Sequence, residues 1–332
     1  IEYRPDKPLK FNPFLFKNEG ATYRPAPDKI AFLANFIAKI WKGDLEKYPL
    51  SEVEYALLSK FLTKYYKGLR EGNIPSLIGF CVWLKAHVKE ENIAESLFHI
   101  NNFLLILEPF TEGIYKDHFN APQITYPEDE RLICFELKAV KNDSKLYPLV
   151  VKVLFDYVLE LVQTQSETIK FIDIEEGWKM LDDSSKDYIQ SFFREDRKSN
   201  LSIRVLTQTT DEVKDSKIAA AMKNNAATFI LLYNDKESVR RDIAAFLGMN
   251  AFDMEKYASL RRKDSYVDGY REVFIKEMDK SSVWRVGLSL YEHGILTSRP
   301  DERNAITRLT QQAEGDIELA VAKWVNSVLE KK

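Results

Sequence analysis

Apolar residues recur at spacings of three and four from residue 28 onward for about ninety residues, the mark of amphipathic helices that each bury one stripe. Ile30, Leu33, Ala34, Ile37, Ile40 and Trp41 define a first helix, with Asp28 as its expected N-cap. Ser51 and Glu54 have capping-box spacing, Leu50 and Tyr55 flank them as a hydrophobic staple, and Leu58, Phe61, Leu62 and Tyr65 continue the face of a second helix. Further helical runs are expected over residues 76–88 and 93–107, joined by the connectors EGNIP and KEEN. The region therefore reads as an all-α bundle of roughly four or five helices, and its aromatic stripes read as core.

Before the bundle, the opening IEYRPDKPLKFNPFLF has β character, with Pro5 and Pro8 as breakers and an FNPF turn at residues 11–14. After FNAPQITYPEDE, short β-rich runs alternate with helical ones. Strands are expected at residues 131–137, 168–174, 201–207 and 228–233. Helices are expected at 145–163, with Lys152, Asp156 and Glu160 on one polar line, and at 186–197. Residues 258–262, 273–275 and 284–290 read as mixed structure, and 306–329 as a closing helix. Strands separated by helices predict an α/β fold with a mainly parallel sheet and helices on both faces.

Composition narrows the function classes. The 332 residues, 45% hydrophobic, are enough for about two domains with sizeable cores. The 48 basic residues nearly balance 51 acidic ones, for a net charge of −3, so no global positive field favours nucleic acid or anionic lipid, and any DNA contact must be local. Cys81, Cys134 and four scattered histidines show neither metal-ligand spacing nor a disulfide framework, which suits a reducing compartment. No apolar run reaches the ~18–20 residues of a membrane span, so a soluble, cytoplasmic chain is expected, with docking on a membrane complex still open. The sequence starts without methionine, and the expected fold would need an opening strand that is not present, so upstream residues are expected to have been removed.

The chemistry concentrates in TIKFIDIEEGWKMLDD, residues 168–183, where an apolar strand ends in Glu175 and Glu176. In an open α/β sheet, ligands bind beyond the carboxyl ends of the strands. Two carboxylates there can divide nucleotide hydrolysis, one holding the Mg²⁺ shell and the other polarising water as general base. The plainer reading is a charged strand-to-helix loop with Glu176 as a helix cap. Gln208, at the end of LSIRVLTQTT, can sense a γ-phosphate or position water, or can be an ordinary loop glutamine.

Glu175, Glu176, Gly177 and Trp178, then Arg194, Arg197 and Lys198 at a basic helix end, then Thr207 and Gln208 at a strand end, resemble the VirB-type conjugation ATPases of type IV secretion systems, including TraG-like and TraC-like proteins. PLKFNPF, LEPFTEGIYKDHFNAP and LSLYEHGILTSRPDE resemble that family's segments after the P-loop helix, at the end of its helical insertion and in its C-terminal region. The resemblance implies a RecA-like P-loop NTPase core interrupted by an all-α insertion: residues 1–27 as a core remnant, 28–121 as the insertion and 122–332 as the main core. It implies ATP and Mg²⁺ as cofactors in the intact parent. Glu175 would organise Mg²⁺ through water, Glu176 would activate the attacking water, Gln208 would sit at the γ-phosphate, and Arg194, Arg197 and Lys198 would serve nucleotide binding or a trans-acting arginine finger, the plainer reading of these three being a basic helix end that complements the macrodipole. It further implies a self-assembled ring such as a hexamer, inner-membrane secretion components as partners, and a location at the cytoplasmic side of the inner membrane.

Two departures from the family pattern matter. Glu175 stands where the family carries aspartate; Asp173 is the other candidate, but alignment on Trp178 selects Glu175. No G-x-x-x-x-G-K-[ST] occurs in the sequence, so little ATP affinity is expected of this chain alone. Two other readings stand beside the ATPase: a non-catalytic docking module, and an FtsK-like DNA motor. The run Arg261, Arg262 and Lys263 could touch a partner or DNA phosphates, its plainer reading being a solvated charge run.

Overall fold

In the computed structural model the described residues are 10–16, 24–70, 72–89, 93–95, 97–122, 131–164, 167–175, 200–207, 223–264, 266 and 269–330. The chain divides into two compact units, Ile1–Gln208 and Thr209–Lys332.

The first unit is built on helices α1 (Pro27–Lys42), α2 (Glu52–Gly68), α3 (Leu77–His87), α4 (Ile100–Thr111) and α5 (Leu146–Thr164). The N-cap of α1 is Ala26, with Pro27 at the first helical position; Asp28 lies inside the first turn instead, where its charge complements the helix dipole. In α2 the capping box is present as read: the Ser51 side chain accepts from Glu54 N–H, and Glu54 accepts from Ser51 N–H at 2.8 Å. Helix α4 starts seven residues later than the spacing suggested, about two turns. Ile93 and Phe98 nevertheless pack on the same core, because spacing records burial and burial does not require a helix.

Thirty-one buried residues from the FNPF turn, all five helices and the segments that connect them form one core, rich in Phe and Tyr and including Phe36, Phe61, Phe80, Phe103 and Phe119, which dominates the buried apolar surface of this unit. The FNPF turn ties the chain into it. Phe11 N–H donates to His118 O at 2.9 Å and Ala121 N–H to Phe11 O at 3.0 Å. Buried Asn12 donates through Nδ2 to Pro75 O and Ala121 O, both at 2.8 Å, and accepts from Phe14 N–H at 3.0 Å. Both the amide nitrogen and the amide oxygen of Asn12 are thus engaged, as a buried amide requires.

Residues 131–137 form no strand but a single bridge at Glu136, whose carboxylate accepts from Lys138 N–H at 2.8 Å; that local bond competes with a ladder. Asp143 accepts from Lys145 and Leu146 N–H, satisfying the amides that open α5. The polar line read along α5 is used inwardly: Lys152 is buried, and Asp156 pairs with Lys29 of α1 at 2.9 Å. At its C-terminal end α5 packs through Phe155, Val158, Leu159 and Val162 on Leu201, Ile172 and Ile203 of strands β1 (Lys170–Glu175) and β2 (Leu201–Leu206). These two strands are parallel, as expected, in the register Lys170↔Leu201 to Glu175↔Leu206.

The second unit corrects the expectation of a mainly parallel sheet for its part of the chain. Strand β3 (Thr228–Leu232) pairs antiparallel with β5 (Tyr270–Glu277), which also pairs antiparallel with β4 (Arg262–Lys263) and β6 (Lys280–Val286). Alternation along 228–232 marks a half-buried strand without fixing the direction of its neighbour. The β5–β6 hairpin replaces the expected mixed structure. Its turn contains Met278 at φ 49°, a positive-φ position without the Asn-Gly or Asp-Gly signal that reveals such turns in sequence. Helices α6 (Glu237–Leu247) and α7 (Ala251–Ala258) contribute Ile243 and Tyr257 to a small core with Leu231 and Phe274.

Helices α8 (Leu290–Leu296), α9 (Pro300–Gln312) and α10 (Ile317–Leu329) follow. The single closing helix read over 306–329 is broken because Glu314 and Gly315 both take positive φ and Asp316 caps a new helix by accepting from Leu319 N–H. Gly294 of α8 is needed at the α8–α10 crossing: a Cβ there would stand 2.9 Å from Val321 and 3.0 Å from Trp324. The helix expected over 186–197 lies outside the described residues.

Candidate functional site

Alternation along β1 sends Ile172 toward α5 and Phe171, Asp173 and Glu175 to the opposite face. The parallel ladder closes level at Glu175 and Leu206, so the carboxyl ends of the two strands stand side by side. Glu175 is exposed at that end and has no cationic partner among the described residues. One residue pair back, Asp173 faces Arg204 in register, and the guanidinium holds the carboxylate through two bonds, Nη2 to Oδ2 at 2.7 Å and Nε to Oδ1 at 2.5 Å. The same guanidinium lies 5.4 Å from the centre of the Phe171 ring. Among the described residues, Asp173 is thus engaged by an arginine and Glu175 by none.

Of the other residues singled out by sequence, Thr207 follows directly on β2 and is exposed. Glu176, Gly177, Trp178, Arg194, Arg197, Lys198 and Gln208 lie outside the described residues. The structure thus brings together Glu175 and the strand end that carries Thr207. It also adds Arg204, which sequence reasoning missed. Its signal was present: with 170 and 201 aligned as strand starts, 173 and 204 fall at the same offset with opposite charges.

The second unit carries a polar centre of a different kind. Glu302 is 4% exposed and accepts from Tyr266 Oη at 2.6 Å, Thr297 Oγ1 at 2.5 Å and Arg299 Nη1 at 3.2 Å, with His293 Nε2 at 2.9 Å. Burial alone would raise the Glu302 pKa, but the bonds from Thr297, Tyr266, His293 and Arg299 outweigh it and hold the carboxyl at about 2. This explains the segment LSLYEHGILTSRPDE as a folding element, a carboxylate that gathers the loop at Tyr266 and helices α8 and α9. Buried Asp253 is likewise held below the usual carboxylate range, chiefly by Lys276 at 2.8 Å. In the basic run, Arg262 lies near Asp264 and 5.5 Å from the Tyr233 ring centre, and Asp264 also pairs with Arg271, an arrangement of local surface pairs. Among the described residues no group of three or more His, Cys, Asp or Glu is arranged to hold a metal ion.

Comparison with known proteins gives the setting of this geometry. The structure is similar to that of VirB4 of Thermoanaerobacter pseudethanolicus, with a TM-score of 0.64 at 13% identity over 88% of this chain and 78% of that one. It also matches the bacterial conjugative coupling protein TrwBdeltaN70, with a TM-score of 0.35 at 10% identity over 80% of this chain and 66% of that one, a likeness too distant to add to the fold argument. No curated protein matches the sequence. The first likeness shows a fold shared with VirB4. The model of the TraG P-loop domain family matches residues 1–328, nearly the whole sequence, in agreement with the resemblance read from the strand ends at Glu175 and Thr207. The chain belongs to the TraG P-loop domain family.

Proposed function

We propose that this chain is the nucleotide-hydrolysing part of a conjugative type IV secretion ATPase, working at the carboxyl ends of β1 and β2. The observation that carries the proposal is the exposed Glu175, without a cationic partner among the described residues, at the end of a parallel strand pair, where α/β folds place their ligands. Membership of a P-loop family and the fold shared with VirB4 support the same reading.

In this reading Glu175 holds a Mg²⁺ shell through water, and an exposed carboxylate oxygen fits that use, since Mg²⁺ prefers hard oxygen donors and retains several waters. When bound with ATP, the ion supplies charge neutralisation at the β- and γ-phosphates. Glu176, next along the chain, accepts a proton from the attacking water, and Gln208, just after Thr207, orients that water. Arg197 is the trans-acting finger between subunits of a ring, and Arg194 and Lys198 assist in holding the nucleotide. The phosphate cradle is not supplied by these 332 residues, which contain no G-x-x-x-x-G-K-[ST], so the residues present fit the metal shell and not the cradle.

The domain reading follows: 28–121 as a helical insertion between a core remnant at 1–27 and a RecA-like core at 122–332. The working location is the cytoplasmic side of the inner membrane, docked on secretion components. Among the described residues no helix is long and apolar enough to cross a membrane. Coupling of hydrolysis to channel assembly or DNA passage is the biological role this proposal assigns.

Glu176→Gln in the intact protein tests it. Removing a general base should lower ATP turnover by about 10²–10⁴-fold with folding retained by circular dichroism. Full turnover in the folded variant would overturn the assignment and favour a docking module.

A further inference from the structure

We infer that Asp173 is a positioning residue whose task is to hold Arg204 away from Glu175. This rests on the proposed role of Glu175 as the carboxylate that meets a divalent cation. Asp173, Glu175 and Arg204 share the face of the β1–β2 pair that points away from α5. With strands about 4.8 Å apart and a rise of about 3.3 Å per residue, facing positions displaced by two along a parallel pair are roughly 8 Å apart, within reach of a long side chain, so an unrestrained Arg204 can reach Glu175 as well as Asp173. A guanidinium on Glu175 would fill the place a cation needs and cancel the charge that attracts it.

The observed geometry prevents this. Both oxygens of Asp173 accept from Arg204, through Nε and Nη2, the fork-to-fork arrangement in which an arginine is most firmly oriented. Phe171, two residues before Asp173 on the same face, lies beneath the guanidinium at 5.4 Å and draws it further back along the strand. Both contacts of the guanidinium thus lie with Asp173 and Phe171, at and before position 173 of the strand.

A pair that is 59% and 48% exposed adds little to stability, because water screens the attraction and both side chains lose freedom in forming it. Its geometric effect is the larger one.

The experiment uses Mn²⁺ as the probe, titrated by electron paramagnetic resonance into the intact protein with and without ATP. Wild type is compared with Asp173→Asn, Arg204→Gln, the double variant and Glu175→Gln. Asp173→Asn frees Arg204 and is expected to weaken Mn²⁺ binding about fivefold, the effect of one competing charge at contact distance in water. The double variant is expected to recover wild-type affinity, and Arg204→Gln alone to bind at least as tightly as wild type. Unchanged binding in Asp173→Asn, or a loss that the double variant fails to repair, would overturn the inference, the second outcome marking Asp173 as merely structural. Glu175→Gln separates the two layers of the argument: if it leaves Mn²⁺ binding intact, the role of Glu175 itself is wrong, whereas its loss alongside an unaffected Asp173→Asn rejects only the inference. Thermal melts of the five proteins show that each compared species is folded.

Discussion

The helical layer of the first unit and the strand pair it supports are built on opposite terms. The helices share a continuous core of 31 buried residues, knitted by aromatic contacts such as Phe36–Phe119 at 5.2 Å and Trp41–Phe103 at 5.2 Å. The core beneath β1 and β2 has two buried residues among those described, Val162 and Leu201, and the far face of the strands carries charge. Helix α5 belongs to both, contributing Val150 and Leu154 to the first core and Val162 to the second. The contrast teaches that, among the described residues, stability is concentrated in the helices while the candidate chemistry sits on a strand end with little packing of its own, a division expected where a site must meet ligands.

Substitutions can break or sharpen that contrast. The largest stability effect should come from the helical core: Phe14→Ala, at a fully buried position, should cost about 3–5 kcal/mol in urea unfolding. A cost below 1 kcal/mol would refute the concentration of stability there.

Next is Glu302, which gives the second unit its own reference. Its folded pKa of about 2 lies below the model-compound value of 4.5, so the stabilisation is complete above that value and is lost as pH falls from about 4.5 toward 2. Glu302→Gln should remove on the order of 2–3 kcal/mol at pH 7 and flatten the acid limb of the stability profile. An acid limb unchanged in the variant would contradict the geometry of the hub.

Asn12→Ala should follow, at about 1–3 kcal/mol, because Pro75 O and Ala121 O each lose a buried donor. The smallest effect belongs to the strand end: Glu175→Gln should change stability by less than about 0.5 kcal/mol while altering cation binding. A large loss of stability there would erase the difference between the two regions.

Much of this was legible in the chain. The capping box at Ser51 and Glu54, the strand at 170–175 and the strand at 201–206 follow from local chemistry and period, which the sequence carries directly. Element limits were less legible where burial continued without a helix, as at Ile93, or where a helix broke at Gly315 inside an unbroken apolar pattern. The antiparallel pairing of β3 was illegible because strand direction depends on a partner about forty residues away, and local alternation is silent about it. At the site, the sequence marked Glu175 through its neighbours but hid Arg204, whose meaning arises only from register.

The most direct test of the account is calorimetric titration of Mg-ATP into this chain and into the intact protein, upstream sequence included. Measurable binding by the intact protein, weakened by Glu175→Gln and absent or weak in this chain alone, is the expected result. No binding by the intact protein would contradict the nucleotide reading of the strand end and leave a family member that acts by docking.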